Sequence, residues 1–158
     1  MRGFIAGLAA AAVLGTYAAG GDGWREFTGS WNATGSLRTL HLGGDRRAAT
    51  GEFTGTLLLS GSSRPGVGFR AEAIAFSDTD TGMVGRAVWT DENGDKVYSE
   101  IRGDGPRKGG KVAGTFTGGT GRYAGATGAY AFTWRYVIGG EEGAVQASSV
   151  DLKGRIRP

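Results

Sequence analysis

The chain has 158 residues, enough for one domain and a short additional segment. Glycine accounts for 32 residues against 3 prolines, with no simple repeat, so the composition excludes collagen. The absence of cysteine excludes disulfides, cysteine-ligated metals and a thiol nucleophile, and the single histidine, His41, excludes a histidine-cluster metal site. The net charge of +3 is mild.

An uncharged run of 19 residues, Gly3–Gly21, follows Met1 and Arg2 and ends at Asp22. A helix that spans a bilayer needs about 20 apolar residues, and Arg2 places the preceding end in the cytoplasm. The run therefore predicts a single-pass membrane anchor over 1–21, with residues 22–158 as a periplasmic or extracytoplasmic domain. The alternative is a signal peptide cleaved near Ala18-Ala19-Gly20, which leaves a secreted or periplasmic protein.

Small residues recur every four positions in this segment, at Gly3, Gly7, Ala11, Gly15 and Ala19. On a helix these positions form one stripe, and such stripes allow two membrane helices to approach closely. The stripe favours the anchor, and it predicts that Gly3, Gly7, Ala11 and Gly15 pack against a helix of a larger membrane protein complex.

From residue 22 onward the pattern consists of short alternating runs, rich in Thr, Val and aromatic residues, with Gly and Asp between them. Eight or nine strands at this spacing indicate an all-β barrel or sandwich. The glycine content favours a barrel over a sandwich, because strongly coiled strands need residues without a side chain at tight bends. The predicted strands are Glu26–Asn32, Gly35–His41, Gly51–Ser60, Gly68–Ser77, Met83–Thr90, Lys96–Gly103, Lys111–Thr117, Ala129–Ile138 and Val145–Arg157.

The Asn93-Gly94 pair between two of these strands predicts a two-residue type I′ hairpin turn. That turn pairs Trp89 with Tyr98. One face of the hairpin then carries Arg86, Val88, Val97 and Ile101, and the other carries Ala87, Trp89, Tyr98 and Glu100. Alternation by itself leaves open which face lines the barrel.

The segment Gly118–Gly128, GGTGRYAGATG, lies between two predicted strands. It resembles the "GGTGRFAGARG" hairpin of the allene oxide cyclase and dirigent-like barrels, which are eight-stranded, antiparallel and calycin-type. The resemblance is specific over about twenty residues and architectural over the rest of 22–158. That family includes cyclases of oxidised fatty acids, bacterial cyclases of polyketide-like substrates and proteins that steer radical coupling. The resemblance therefore implies the fold rather than one chemistry, and no catalytic residue is carried over.

Three motifs are interpreted as structural. Gly119–Ala124 fits a dinucleotide pattern, but a strand follows where the pattern needs a helix, so no cofactor is predicted. Asp91–Asp95 begins like a calcium loop, but Lys96 and Arg102 occupy the positions of the required Gly and Glu, so no metal is predicted. His41 is interpreted as a structural or surface residue, and the scattered basic residues predict no nucleic-acid binding.

Two functions fit these patterns. In the first, the protein is not an enzyme but a non-catalytic accessory subunit of a membrane assembly. The alternative is a binder, cyclase or isomerase for a hydrophobic small molecule held inside the barrel, with Glu72, Glu100 or Tyr98 as proton donors or acceptors. An interior cavity of roughly 300 Å³ or more favours the alternative. The predicted lining is Glu72, Trp89, Tyr98, Glu100, Tyr130 and Trp134.

Overall fold

The structure, a computed structural model, describes residues 23–61, 64–105, 109–139 and 143–158. In these residues eight antiparallel strands form one closed barrel, in which each strand pairs with its neighbours in sequence and β8 pairs with β1. The predicted all-β, eight-stranded antiparallel barrel is therefore confirmed. The strands are β1 Arg25–His41, β2 Arg47–Gly61, β3 Arg64–Asp78, β4 Gly82–Thr90, β5 Lys96–Gly103, β6 Gly109–Gly119, β7 Thr127–Gly139 and β8 Ala144–Arg157.

The predicted membrane segment 1–21, with Gly3, Gly7, Ala11 and Gly15, lies outside the described residues. Among the residues that are described, no helix has both the length and the apolar character needed to cross a bilayer. We call the end of the barrel where β1 begins and β8 ends the proximal end, because it adjoins this segment in sequence. The β4–β5 and β6–β7 turns also lie there, and the opposite end is the distal end.

The two strands predicted at Glu26–Asn32 and Gly35–His41 are one strand, the 17-residue β1. Gly35 lies inside it, opposite Phe53 on β2 and Val145 on β8. A Cβ at this position would overlap the carbonyl oxygen of Glu52. The glycine therefore allows a close approach between two backbones within the sheet, and reading it as a break between strands was wrong.

The β4–β5 hairpin has a longer turn than the predicted type I′ turn. The Gly94 N–H donates to the Asp91 carbonyl at 3.1 Å, the Asp91 N–H donates to the Asp95 carbonyl at 3.0 Å, and Gly94 has a φ of +83°. These bonds define a three-residue loop closed by a left-handed glycine. Trp89 consequently lies opposite Val97 and not opposite Tyr98. A shift of one residue moves a side chain to the other face of a strand.

Aromatic side chains fill the barrel in its proximal half. Trp89 is at the centre of this core and is only 5% exposed. Its ring centroid lies between 4.7 and 6.1 Å from four other rings, those of Phe27, Phe69, Phe116 and Tyr130. Edge-to-face and tilted ring pairs of this kind stabilise a core beyond their buried area, so the interior is a packed core and not a channel.

Candidate functional site

The barrel interior contains a small cavity of about 30 Å³. That volume has room for one or two water molecules, whereas pockets for drug-sized ligands measure about 300–1,000 Å³. The walls are mainly apolar and include Trp31, Leu57, Trp89, Ile101, Tyr130 and Phe132.

The polar groups beside the cavity are mostly paired with each other. The Tyr130 hydroxyl and Ser99 Oγ share a buried hydrogen bond of 2.9 Å, and Ser99 is only 2% exposed. Burial raises the pKa of the Tyr130 phenol to about 12, against the smaller opposite effect of the Ser99 hydrogen bond. The phenol is therefore neutral at physiological pH, and it can share a proton in a hydrogen bond but does not act as a base.

Trp31 is the exception to this pairing. Its backbone N–H donates to Ser149 Oγ at 2.7 Å, but its indole Nε1 is buried and has no hydrogen-bond partner among the described residues. The Trp31 ring lies 6.3 Å from both Phe53 and Phe132. Because an indole N–H is a donor only, any group that satisfied it would have to be an acceptor.

The structure divides the predicted lining residues between two faces. Trp89 and Tyr130 are buried in the interior, and Trp134 is half-buried, with its ring 5.4 Å from that of Phe53. Tyr98 and Glu100 lie outside, so their predicted place in the lining is corrected; the shifted β4–β5 register turns Val97, Ser99 and Ile101 inward instead.

The three residues proposed as proton donors or acceptors have surface environments. Tyr98 is 37% exposed. The Glu100 carboxylate pairs with Arg86 at 2.9 Å. Glu72 borders the cavity, but its carboxylate pairs with Arg70 at 2.8 Å on a side chain that is 42% exposed. Both carboxylates thus make solvent-exposed ion pairs, which contribute little to stability.

An ion pair between a buried carboxylate and a partly exposed arginine, which the sequence did not suggest, closes the proximal end. The Asp91 side chain is fully buried, and its Oδ2 accepts a hydrogen bond from Arg122 Nε at 2.7 Å. Its Oδ1 accepts the backbone N–H groups of Asn93 at 2.8 Å and Asp95 at 3.0 Å. Burial opposes ionisation of this carboxyl, but the hydrogen bonds from Arg122, Asn93 and Asp95 together hold its pKa below the usual value.

Arg122 belongs to the GGTGRYAG segment, so this ion pair fastens the β6–β7 turn to the β4–β5 turn. Further bonds join the two turns: the Lys96 N–H donates to Thr120 Oγ1 at 2.9 Å, and the Arg122 N–H donates to an Asp95 carboxylate oxygen at 3.2 Å. Next to Arg122, Tyr123 packs its ring 6.1 Å from that of Phe69 and covers the aromatic core. Both residues belong to a three-residue 3₁₀ turn, Gly121–Tyr123. The motif that suggested a dinucleotide site therefore supplies the side chains that close the barrel.

Exposed apolar side chains lie on the outer face of β3 and β4. Ile74, Phe76 and Val84 are 68%, 46% and 45% exposed, and Phe76 lies directly opposite Val84. We call these three residues the β3–β4 strip. Contiguous exposed apolar side chains are a feature of surfaces that contact other molecules.

The described residues hold no group of three or more His, Cys, Asp or Glu side chains that could bind a metal ion. Comparisons with protein-family models, curated proteins and solved structures find no match for this chain. The resemblance to allene oxide cyclase and dirigent-like proteins stays a prediction. The fold itself defines a class, the up-and-down eight-stranded antiparallel barrels, here with an interior occupied by its own side chains.

Proposed function

We propose that this protein is a non-catalytic accessory subunit of a membrane protein assembly, with residues 1–21 as the anchor and the barrel outside the cytoplasm. The observation that carries the proposal is the filled interior. A cavity of about 30 Å³ is roughly a tenth of what a small-molecule site needs, so the barrel acts through its outer surface.

Two further features support a scaffold that presents a rigid surface. The Asp91–Arg122 pair joins two turns at the proximal end, and the aromatic core around Trp89 joins the strands inside. The β3–β4 strip exposes apolar surface, which suits contact with an apolar face of another subunit.

The first experiment is intact mass measurement of the protein purified from its native membranes in mild detergent, with identification of the proteins that co-purify. The proposal expects the full-length mass and stoichiometric membrane partners. A mass lacking about the first twenty residues, with no partner, would overturn it in favour of a free secreted barrel.

The second experiment tests the small-residue stripe. Replacing Gly7 and Gly15 with Leu is expected to release the partners, because the larger side chains separate the helices. The matched control replaces Ala9 and Thr16 with Leu, on the side opposite the stripe for a period of 3.6 residues per turn. Co-purification that survives the Gly7→Leu/Gly15→Leu change would sink the stripe as the docking surface.

The buried, unpartnered Trp31 Nε1 favours a second candidate function, the binding of a hydrophobic molecule that carries a hydrogen-bond acceptor. Such a ligand would enlarge the small cavity by displacing neighbouring aromatic rings. Native mass spectrometry with added oleic acid tests this function: a bound complex that Trp31→Phe weakens supports it. No complex with the unchanged protein would remove this candidate.

A further inference from the structure

A cluster of basic side chains surrounds Trp24 at the proximal end. Lys153, Arg155 and Arg157 occupy alternate positions on β8 and are all exposed. The guanidinium carbons of Arg155 and Arg157 lie 4.6 and 5.1 Å from the centroid of the Trp24 ring. On the paired strand β1, Glu26 is exposed directly opposite Arg155, whereas Arg25 lies opposite Ile156 and shares the inner face of the sheet. We call Trp24, Lys153, Arg155 and Arg157 the proximal cluster.

The proximal cluster carries a local excess of positive charge. Its three cations, Lys153, Arg155 and Arg157, face one acid on the paired strand, Glu26, which leaves an excess of two positive charges on this part of the outer face.

We infer that the proximal cluster is a binding surface for anionic lipid headgroups, which holds the proximal end of the barrel against the membrane. Tryptophan is enriched at the membrane–water interface, and basic residues close to a bilayer are attracted to anionic lipids. A guanidinium that lies over an aromatic ring uses its face for that contact and keeps its edge N–H groups for a phosphate.

The short stretch of chain between Trp24 and the predicted anchor keeps the proximal cluster close to the membrane, a step that rests on the proposed function. Only Asp22 and Gly23 separate Trp24 from the uncharged run that ends at Gly21. Three extended residue steps span at most about 11 Å. If residues 3–21 cross the bilayer, Trp24 is held at the depth of the headgroups or just above them, within about one Debye length of their charge at physiological salt.

The test uses the full chain reconstituted in vesicles whose lipids carry bromine near the headgroup and quench nearby tryptophan fluorescence. One set is brominated phosphatidylglycerol and the other brominated phosphatidylcholine. We expect quenching on phosphatidylglycerol to exceed that on phosphatidylcholine and to decrease in 0.5 M salt. Trp24→Phe is expected to remove most of the quenching, because Trp89 is buried and the half-buried Trp31 and Trp134 pack against the core.

Charge reversal tests the cations directly. Arg155→Glu with Arg157→Glu is expected to abolish the difference between the two lipids and to reduce headgroup association at least tenfold. Arg38→Glu with Arg102→Glu reverses the same charge at exposed distal positions and is expected to leave the difference unchanged. Arg155→Gln with Arg157→Gln is a milder variant, and near-ultraviolet circular dichroism of the aromatic core verifies that each variant is folded.

Quenching that is equal on the two lipids, or that survives charge reversal, would overturn the inference. Alkaline carbonate extraction of the same vesicles tests the anchor separately, because an inserted helix resists extraction and a headgroup contact does not. If carbonate extracts the chain but quenching at neutral pH is lipid-selective, the proximal cluster stands as a lipid-binding surface and the proposed anchor is overturned. If the chain resists extraction but quenching is not lipid-selective, the anchor stands and the lipid-binding role of the proximal cluster is overturned.

Discussion

Replacing Asp91 tests the ion pair between its buried carboxylate and Arg122, which closes the proximal end. Asp91→Ala removes the acceptor of two backbone N–H groups and of the Arg122 guanidinium. The hydrogen bonds of a buried charged group contribute about 1.5–3 kcal/mol each. Water can replace part of this loss, because the Arg122 side chain is 40% exposed. We therefore expect the free energy of unfolding to fall by about 3 kcal/mol.

Asp91→Asn separates the contribution of the hydrogen bonds within the turn from the contribution of the ion pair. Its amide oxygen can still accept the N–H groups of Asn93 and Asp95, but its N–H₂ group replaces the oxygen that accepts from Arg122, so the charged bond is lost and two donors face each other. Because Arg122 is partly exposed and can turn to water, we expect a cost of about 2 kcal/mol. Arg122→Gln is the reciprocal change. The double variant Asp91→Asn/Arg122→Gln is expected to lose less free energy of unfolding than the two single variants lose together, by about 1 kcal/mol.

Urea unfolding followed by tryptophan fluorescence, repeated between pH 7 and pH 2.5, measures these differences. The Asp91 pKa is lower in the folded chain than in the unfolded chain, so its contribution is present above about pH 4 and is lost as the pH falls through the folded value. The gap between wild type and Asp91→Asn should therefore narrow below pH 4. A loss under 0.5 kcal/mol for Asp91→Ala, or a gap that does not depend on pH, would refute the reasoning.

Two further predictions concern the interior. The Tyr130 pKa is raised to about 12, so an ultraviolet titration should show a phenol that ionises above pH 11 and is absent from Tyr130→Phe. Because the folded state prefers the neutral phenol, the contribution of Tyr130 to stability is fully present below about pH 10, the unfolded pKa, and is lost as the pH rises towards 12. An ordinary titration of all tyrosines would contradict this assignment. Gly55→Ala would place a Cβ against the backbone of Asn32 and Ala33, and we expect a loss of about 2 kcal/mol or more in urea unfolding. Gly68→Ala is the matched control, because the nearest atom, Leu58 Cδ2, is 3.8 Å away; equal losses in the two variants would show that close backbone approach is not the cause.

The sequence by itself determined the strands and the all-β architecture. Alternation with period 2 is a local property, and turn residues such as Gly43-Gly44 mark the joints between strands. Seven of the strands were therefore predicted to within a few residues. Gly35 misled the prediction of the first strand, because glycine marks both turns and close contacts between strands and only the neighbouring strand distinguishes them.

The tertiary structure decided which side chains face inward and how the barrel is closed. The Asp91 carboxylate binds two backbone N–H groups of its own turn, which lengthens the loop and turns Tyr98 and Glu100 outward. Asp91 meets Arg122 across 31 positions of sequence, and Trp24 meets Arg155 only because β8 pairs with β1. Local periodicity carries no information about such pairs, because they depend on the closure of the sheet into a barrel.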